Sequence, residues 1–185
     1  MFDLERFIED CRTALAAETA SAQRGAMEVV ARAVSDPSAL MRAVGEPTRA
    51  GLTPLHRAPD LTILNLVWGP RMTIMPHNHR MWAVIGIYTG AEDNIFWRRL
   101  PEGPPNAVEA AGAKSLRARD ATVLGRDIIH SVTNPLPRLT GAIHVYGGDF
   151  FAMERSEWDP ETLTEQPYDV EKAKRMFEDA NASLR

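Results

Sequence analysis

Cys11 is the lone cysteine in 185 residues, so no disulfide can close within the chain. Zinc patterns built on several thiolates are excluded with it. No run of about 18 apolar residues is present to span a bilayer. The first residues, MFDLERFIEDCR, lack the basic start and unbroken apolar core of a secretory signal. A cytoplasmic protein without a membrane partner is therefore expected. Long blocks of one charge sign are also missing. Scattered through the chain, 21 basic and 25 acidic residues give a net charge of −4. That leaves no basic footprint for nucleic acid and favours a small-molecule partner.

What is present suffices for one ordinary domain over residues 1–185, since 44% of residues are hydrophobic. Leu4, Phe7, Ile8, Cys11 and Leu15, then Val29, Val30, Ala33 and Val34, recur at helical spacing, which predicts two or three helices within residues 1–46. Asp36 before Pro37 reads as a cap and first position, and Gly45 as a stop. From 50 to 158 the pattern changes to short apolar runs at 61–69, 72–90, 94–100, 115–125, 128–134 and 141–151, bounded by Gly, Pro or Asn. Such spacing predicts a mainly β sandwich or barrel. Residues 101–114, PEGPPNAVEAAGAK, read as a loop. A last helix is expected over 169–183, capped by Asp169, with Val170, Ala173, Met176, Phe177 and Ala180 packed on the outside of the barrel.

In PHNHRMW, His77 and His79 sit at i and i+2 of a strand and so face the same way. A third imidazole can come from His130, in GRDIIHSVTN, because a barrel brings distant strands around one interior. Three imidazoles suit iron, zinc, copper or nickel and leave positions open for a substrate. His144 and Tyr146 repeat the i, i+2 spacing, and an imidazole beside a phenol can form a hydrogen-bond relay. Trp82 has the opposite parity and is expected to face the helices, while Met75, Met81, Ala83 and Ile85 fill the core or wall a cavity. His56 lies in a loop-like context, and a turn accounts for Asp149.

The runs WGPRMTIMPHNHRMWAVIGIYTGAEDN, GRDIIHSVTN and GAIHVYGGDFF together resemble the cysteine dioxygenase type thiol dioxygenases of the cupin superfamily, especially the bacterial branch acting on 3-mercaptopropionate. Gly69, His77, His79, Gly86 and Gly90 match the first motif, and Gly125, His130 and Asn134 the second. Ala83 and Val84 stand where many cupins carry a ligating Glu. The resemblance implies a cupin double-stranded β-helix, or jelly-roll barrel, with N-terminal helices and a C-terminal helix. It implies one Fe(II) per chain on His77, His79 and His130, with His144 and Tyr146 as catalytic residues. The partners would be a small thiol carboxylate and O2, and the product a sulfinic acid.

Three departures accompany the resemblance. Ala142 replaces the Ser that precedes the family's His and Tyr, and Val84 replaces the Cys that animal enzymes crosslink to Tyr. No single Arg aligns with the family's carboxylate anchor, which leaves Arg57 and Arg71 as candidates. Two alternatives therefore stay open: a metal-dependent oxygenase acting on a non-thiol small molecule, and a non-catalytic cupin that binds metal or metabolite. Monomer and homo-oligomer are equally compatible with the sequence.

Overall fold

Asp3 accepts the Arg6 N–H at 3.0 Å and so starts α1 (Leu4–Leu15). In this computed structural model, which describes residues 2–16, 19–102 and 106–184, α1 is followed by α2 (Thr19–Ser35) and α3 (Pro37–Val44). Asp36 caps α3 through the Ala39 N–H with Pro37 in the first turn, and Gly45, at φ 88°, ends it. The helical periodicity is thus realised, although residues 1, 17 and 18 of the expected helical region lie outside the described residues.

Eleven strands follow among the described residues: β1 (Gly51–Arg57), β2 (Thr62–Trp68), β3 (Thr73–Asn78), β4 (Ala83–Thr89), β5 (Ala91–Arg99), β6 (Val108–Arg117), β7 (Ala121–Leu124), β8 (Ile129–Thr133), β9 (Thr140–Tyr146), β10 (Ser156–Trp158) and β11 (Glu165–Pro167). One sheet runs β1-β2-β9-β4-β7 and the other β11-β10-β3-β8-β5-β6. All strand pairings are antiparallel. Two such sheets enclosing a shared core, with helices at either end of the chain, make the jelly-roll barrel of the cupin fold.

The inner strands of the first sheet, β2, β9 and β4, are buried on both faces, which is why β2 and β9 show no regular apolar–polar alternation. On β4, Ala83, Ile85 and Ile87 join the barrel core, whereas Val84 and Tyr88 pack with Val30, Val34 and Phe7 beneath the helices. Trp82 lies with the helices, as its parity predicts. Gly86 shares that outer face, and a Cβ there would come within 2.4 Å of Val30 Cγ1, so α2 rests on bare backbone.

Four details depart from the sequence reading. Residues 108–114, expected as loop, form most of β6, paired with β5 along its length. Its small and charged residues obscure the strand because this edge is largely exposed; residues 103–105 lie outside the described residues. The run 72–90 breaks into β3 and β4 at Arg80, held at φ 55°. His56 belongs to β1, beside a bulge, rather than to a loop. The short strands β10 and β11 were too brief to show any period.

Asp169 caps α4 (Val170–Ala182) by accepting the Lys172 N–H at 2.9 Å. Helix α4 packs on the barrel core through Phe177, Met176 and Ala180 and lines the cavity with Ala173, Lys174 and Asn181. Phe177 stacks on Trp68 with centroids 5.7 Å apart, and the Asn181 carboxamide bonds both the N–H and the C=O of Ala50. No described helix is long and apolar enough to cross a membrane.

Candidate metal centre and its cavity

A register shift in the β3–β8 ladder, between Ile74 and His77, marks a bulge that sets the direction of the histidine pair. His77 then lies opposite His130, and His79 follows just past the end of β3. The three imidazoles are buried and their ligand nitrogens lie within 4.8 Å of one another. His130 Nε2 and His79 Nε2 are 3.4 Å apart. Two nitrogens bound at about 2.1 Å to one ion take such a separation near the tetrahedral angle.

Protonation favours the same reading. Burial pushes His77 down to about 4, against the upward pull of its bond to the Met75 carbonyl. Burial and then the neighbouring histidines hold His79 and His130 well below the usual range. With these shifts all three are neutral at neutral pH, the form in which an imidazole can ligate a metal ion. A carbonyl only accepts, so His77 Nδ1 donates to Met75 O at 2.9 Å, leaving its Nε2 lone pair free. The donor set fits a transition-metal ion bound by three neutral nitrogens without a carboxylate.

The histidines open into a cavity of about 1100 Å³, walled by Trp68, Leu66, Ile74, Phe150 and Phe177 among others. His144 and Tyr146 line it too, with His144 Nδ1 3.0 Å from the Tyr146 hydroxyl. The Tyr146 ring lies 5.1 Å from that of His79, and burial raises its hydroxyl far above the usual range. Ala142 is buried in the barrel core and offers His144 no hydroxyl. Met75, Met81, Ala83 and Ile85 fill the core without lining the cavity.

Neither arginine singled out from the sequence lines the cavity. Arg57 is engaged by Asp149, with Nε 3.0 Å and Nη2 3.0 Å from its carboxylate oxygens. Asp149 also accepts the N–H groups of Phe151 and Ala152, as a turn residue does. Arg71 donates to the Pro135 carbonyl. Three arginines do line the cavity, Arg49, Arg80 and Arg155, and the last lies 4.2 Å from the Phe150 ring centroid and 4.3 Å from that of Tyr168. Its Nη1 donates to Phe150 O at 2.6 Å, while its buried Nε has no hydrogen-bond partner among the described residues. Sequence reasoning missed Arg155 because it stands in the irregular segment between β9 and β10, where no period assigns a direction.

Glu92 was also missed, although Glu92 and Asn94 repeat the i, i+2 spacing of the histidines. Both are buried on β5, and Asn94 Oδ1 lies 2.7 Å from His130 Nδ1. Asn134 has a structural part. Its Nδ2 donates to Gly69 O and Arg138 O at 2.8 Å each, and its Oδ1 accepts from the Leu136 N–H and the Thr140 hydroxyl. It thereby ties the turn before β3 to the one after β8.

No known family model matches the chain. Among solved structures it is similar to an RmlC-like cupin family protein with a double-stranded β-helix fold from Methanocaldococcus jannaschii, at 8% identity over 58% of this chain and 87% of the other, with a TM-score of 0.47. An uncharacterised conserved protein with a double-stranded β-helix domain from Klebsiella pneumoniae gives 12% identity, 56% and 76% coverage and a TM-score of 0.43. For oxalate decarboxylase from Bacillus subtilis the values are 14%, 51% and 22%, and 0.40. These likenesses say nothing about the chemistry of the site.

Proposed function

We propose that the protein is an Fe(II)-dependent thiol dioxygenase that converts a small thiol carboxylate, such as cysteine or 3-mercaptopropionate, to its sulfinic acid. The reaction balances as R–SH + O2 → R–SO2H, with both oxygen atoms ending on sulfur. One observation carries this reading. Three neutral imidazoles, a buried tyrosine bonded to histidine, and a guanidinium with an unpartnered Nε all line one cavity.

Ferrous iron on the three imidazoles supplies a common site for thiolate and dioxygen and the electron exchange between them. The rest falls to the chain. Arg155 binds the substrate carboxylate through a charge-assisted hydrogen bond, its orientation fixed by the two flanking rings. Trp68, Phe150 and Phe177 exclude water from the reacting atoms. Tyr146 and His144 hold a proton between the phenol oxygen and Nδ1 at the cavity wall.

Cavity size favours a second reading, in which the same site oxidises a bulkier carboxylate lacking a thiol. Sites for drug-sized ligands occupy roughly 300–1000 Å³, and the volume here, about 1100 Å³, exceeds what a few-atom thiol acid fills.

The deciding experiment is anaerobic purification, Fe(II) reconstitution, and oxygen uptake with cysteine, 3-mercaptopropionate and related acids. Sulfinate formed in a 1:1 ratio to O2, and lost in His130→Ala, supports the thiol reading. Tight iron binding without thiol-dependent uptake rejects it in favour of the second.

A further inference from the structure

Glu92 is a fully buried carboxylate on β5, and it faces three donors rather than solvent. Trp68 Nε1–H donates to its Oε2 at 2.7 Å, and Asn94 Nδ2–H donates to its Oε1 at 3.0 Å. His144 Nε2, otherwise without a partner, lies 3.6 Å from Oε2. Burial works to raise the Glu92 pKa, but His144, Asn94 and Trp68 outweigh it and the carboxylate is held below its ordinary range.

An ionised carboxylate only accepts, and that fixes what lies beyond it in two directions. Along one, Asn94 must turn its NH2 toward Glu92 and hence its Oδ1 toward His130, 2.7 Å away. His130 must then carry its proton on Nδ1 and present the Nε2 lone pair to the centre it shares with His79. Along the other, His144 carries its proton on Nε2, facing Glu92. Its Nδ1 is then an acceptor for the Tyr146 O–H.

We propose that Glu92 is a positioning residue whose one buried carboxylate sets the proton positions of both His130 and His144, and through them the ligand lone pair and the tyrosine hydroxyl. It supplies from β5 the acceptor that Ala142 does not provide on β9. The inference rests on the metal-centre reading, and its catalytic consequence on the dioxygenase reading.

Glu92→Gln tests it sharply, because a carboxamide has one accepting and one donating side. With its NH2 toward Asn94, that side chain must flip and donate to His130 Nδ1, which moves the His130 proton to Nε2. With its NH2 toward Trp68 and His144, the carboxamide would meet the Trp68 indole N–H donor to donor and His144 would have to give up its Nε2 proton, so the first orientation is favoured. Either orientation breaks one branch.

The readout is the ¹⁵N NMR spectrum of the imidazoles in metal-free protein at neutral pH. Wild type should show His130 as Nδ1–H and His144 as Nε2–H, and this needs no variant, so a poorly folding mutant leaves the test intact. The opposite tautomer at either ring in wild type overturns the proposal. In Glu92→Gln one of the two should invert; if it is His130, Fe(II) or Zn(II) affinity should fall about 10- to 100-fold, as for other partners of metal ligands. Unchanged tautomers in a folded Glu92→Gln also overturn it. If wild type consumes oxygen with thiols, inversion at His144 should lower kcat and leave KM unaltered, and equal kcat in that variant overturns the catalytic consequence. If wild type consumes none, the dioxygenase reading fails while the tautomers still decide the part played by Glu92.

Discussion

His77 and His130 face each other directly across the β3–β8 ladder, with ring centroids 4.6 Å apart. The pairing places one candidate ligand from each motif on a rigid sheet rather than on loops, so a metal ion could be held with little rearrangement. Replacing His130 by Ala should therefore reduce metal affinity by more than the roughly 100-fold that follows loss of a ligand's hydrogen-bond partner. The barrel itself should persist, because Phe96, paired with His130 across the β5–β8 ladder, still packs against the barrel core. Metal analysis after dialysis, beside a far-UV CD melt, checks both halves; stoichiometric metal in a folded His130→Ala would remove His130 from the ligand set.

The centre was readable from sequence because strand parity is a local rule. His77 with His79, and His144 with Tyr146, announce a shared face without knowledge of the fold. Trp82 was assigned to the helix side by the same rule. Arg155 follows no such rule: a segment without period points its side chains by tertiary packing alone. Glu92 was hidden differently, since a charged residue on a strand beside Asp93 reads as solvated. Only burial on the closed barrel shows that Glu92 turns inward while Asp93 stays partly exposed. Residues 108–114 were lost to the loop reading because an exposed edge strand need not be apolar.

Arg155 and Arg57 give opposite expectations for substrate binding. A hydrogen bond to a charged group contributes about 1.5–3 kcal/mol, so Arg155→Gln should raise KM for a carboxylate substrate roughly 10- to 100-fold. Arg155→Lys should recover only part of this, since an ammonium cannot sit flat between Phe150 and Tyr168. Arg57→Gln breaks the contact with Asp149 outside the cavity and should leave KM unchanged. Initial rates over a substrate series decide, and a reversed order would return the anchor to Arg57.

Close approach of α2 to β4 should make Gly86 intolerant of even a methyl group. A Cβ would meet Val30 Cγ1 at 2.4 Å and Val34 Cγ1 at 2.8 Å, and both atoms belong to fully buried side chains. Overpacking of this kind costs about 1–3 kcal/mol. Gly86→Ala should lose stability in that range by urea unfolding, with Val30→Ala in the same chain restoring part of it. Additive losses in the double variant would mean that the two residues do not press on each other.

Alkali should attack the structure at the same helix-to-sheet layer. Burial, helped by the Asp10 charge and opposed by Arg32, pushes the Cys11 thiol from 9.0 up to about 12. Burial likewise raises the Tyr88 phenol from 10.0 to about 12, although its bond to Asn65 Oδ1 pulls the other way. Both groups ionise more readily in the unfolded chain, so the unfolded state binds fewer protons across this interval and stability falls as pH rises. Their contribution is complete below about pH 9 and is lost progressively toward 12. Unfolding free energy measured from pH 8 to 12 should decline most steeply above pH 10, and less steeply in Cys11→Ala. Below pH 9 the thiol should resist alkylation, being both protonated and buried, until denaturant is added. Rapid alkylation of the native protein at pH 8 would show that α1 leaves the barrel far more easily than its buried face allows.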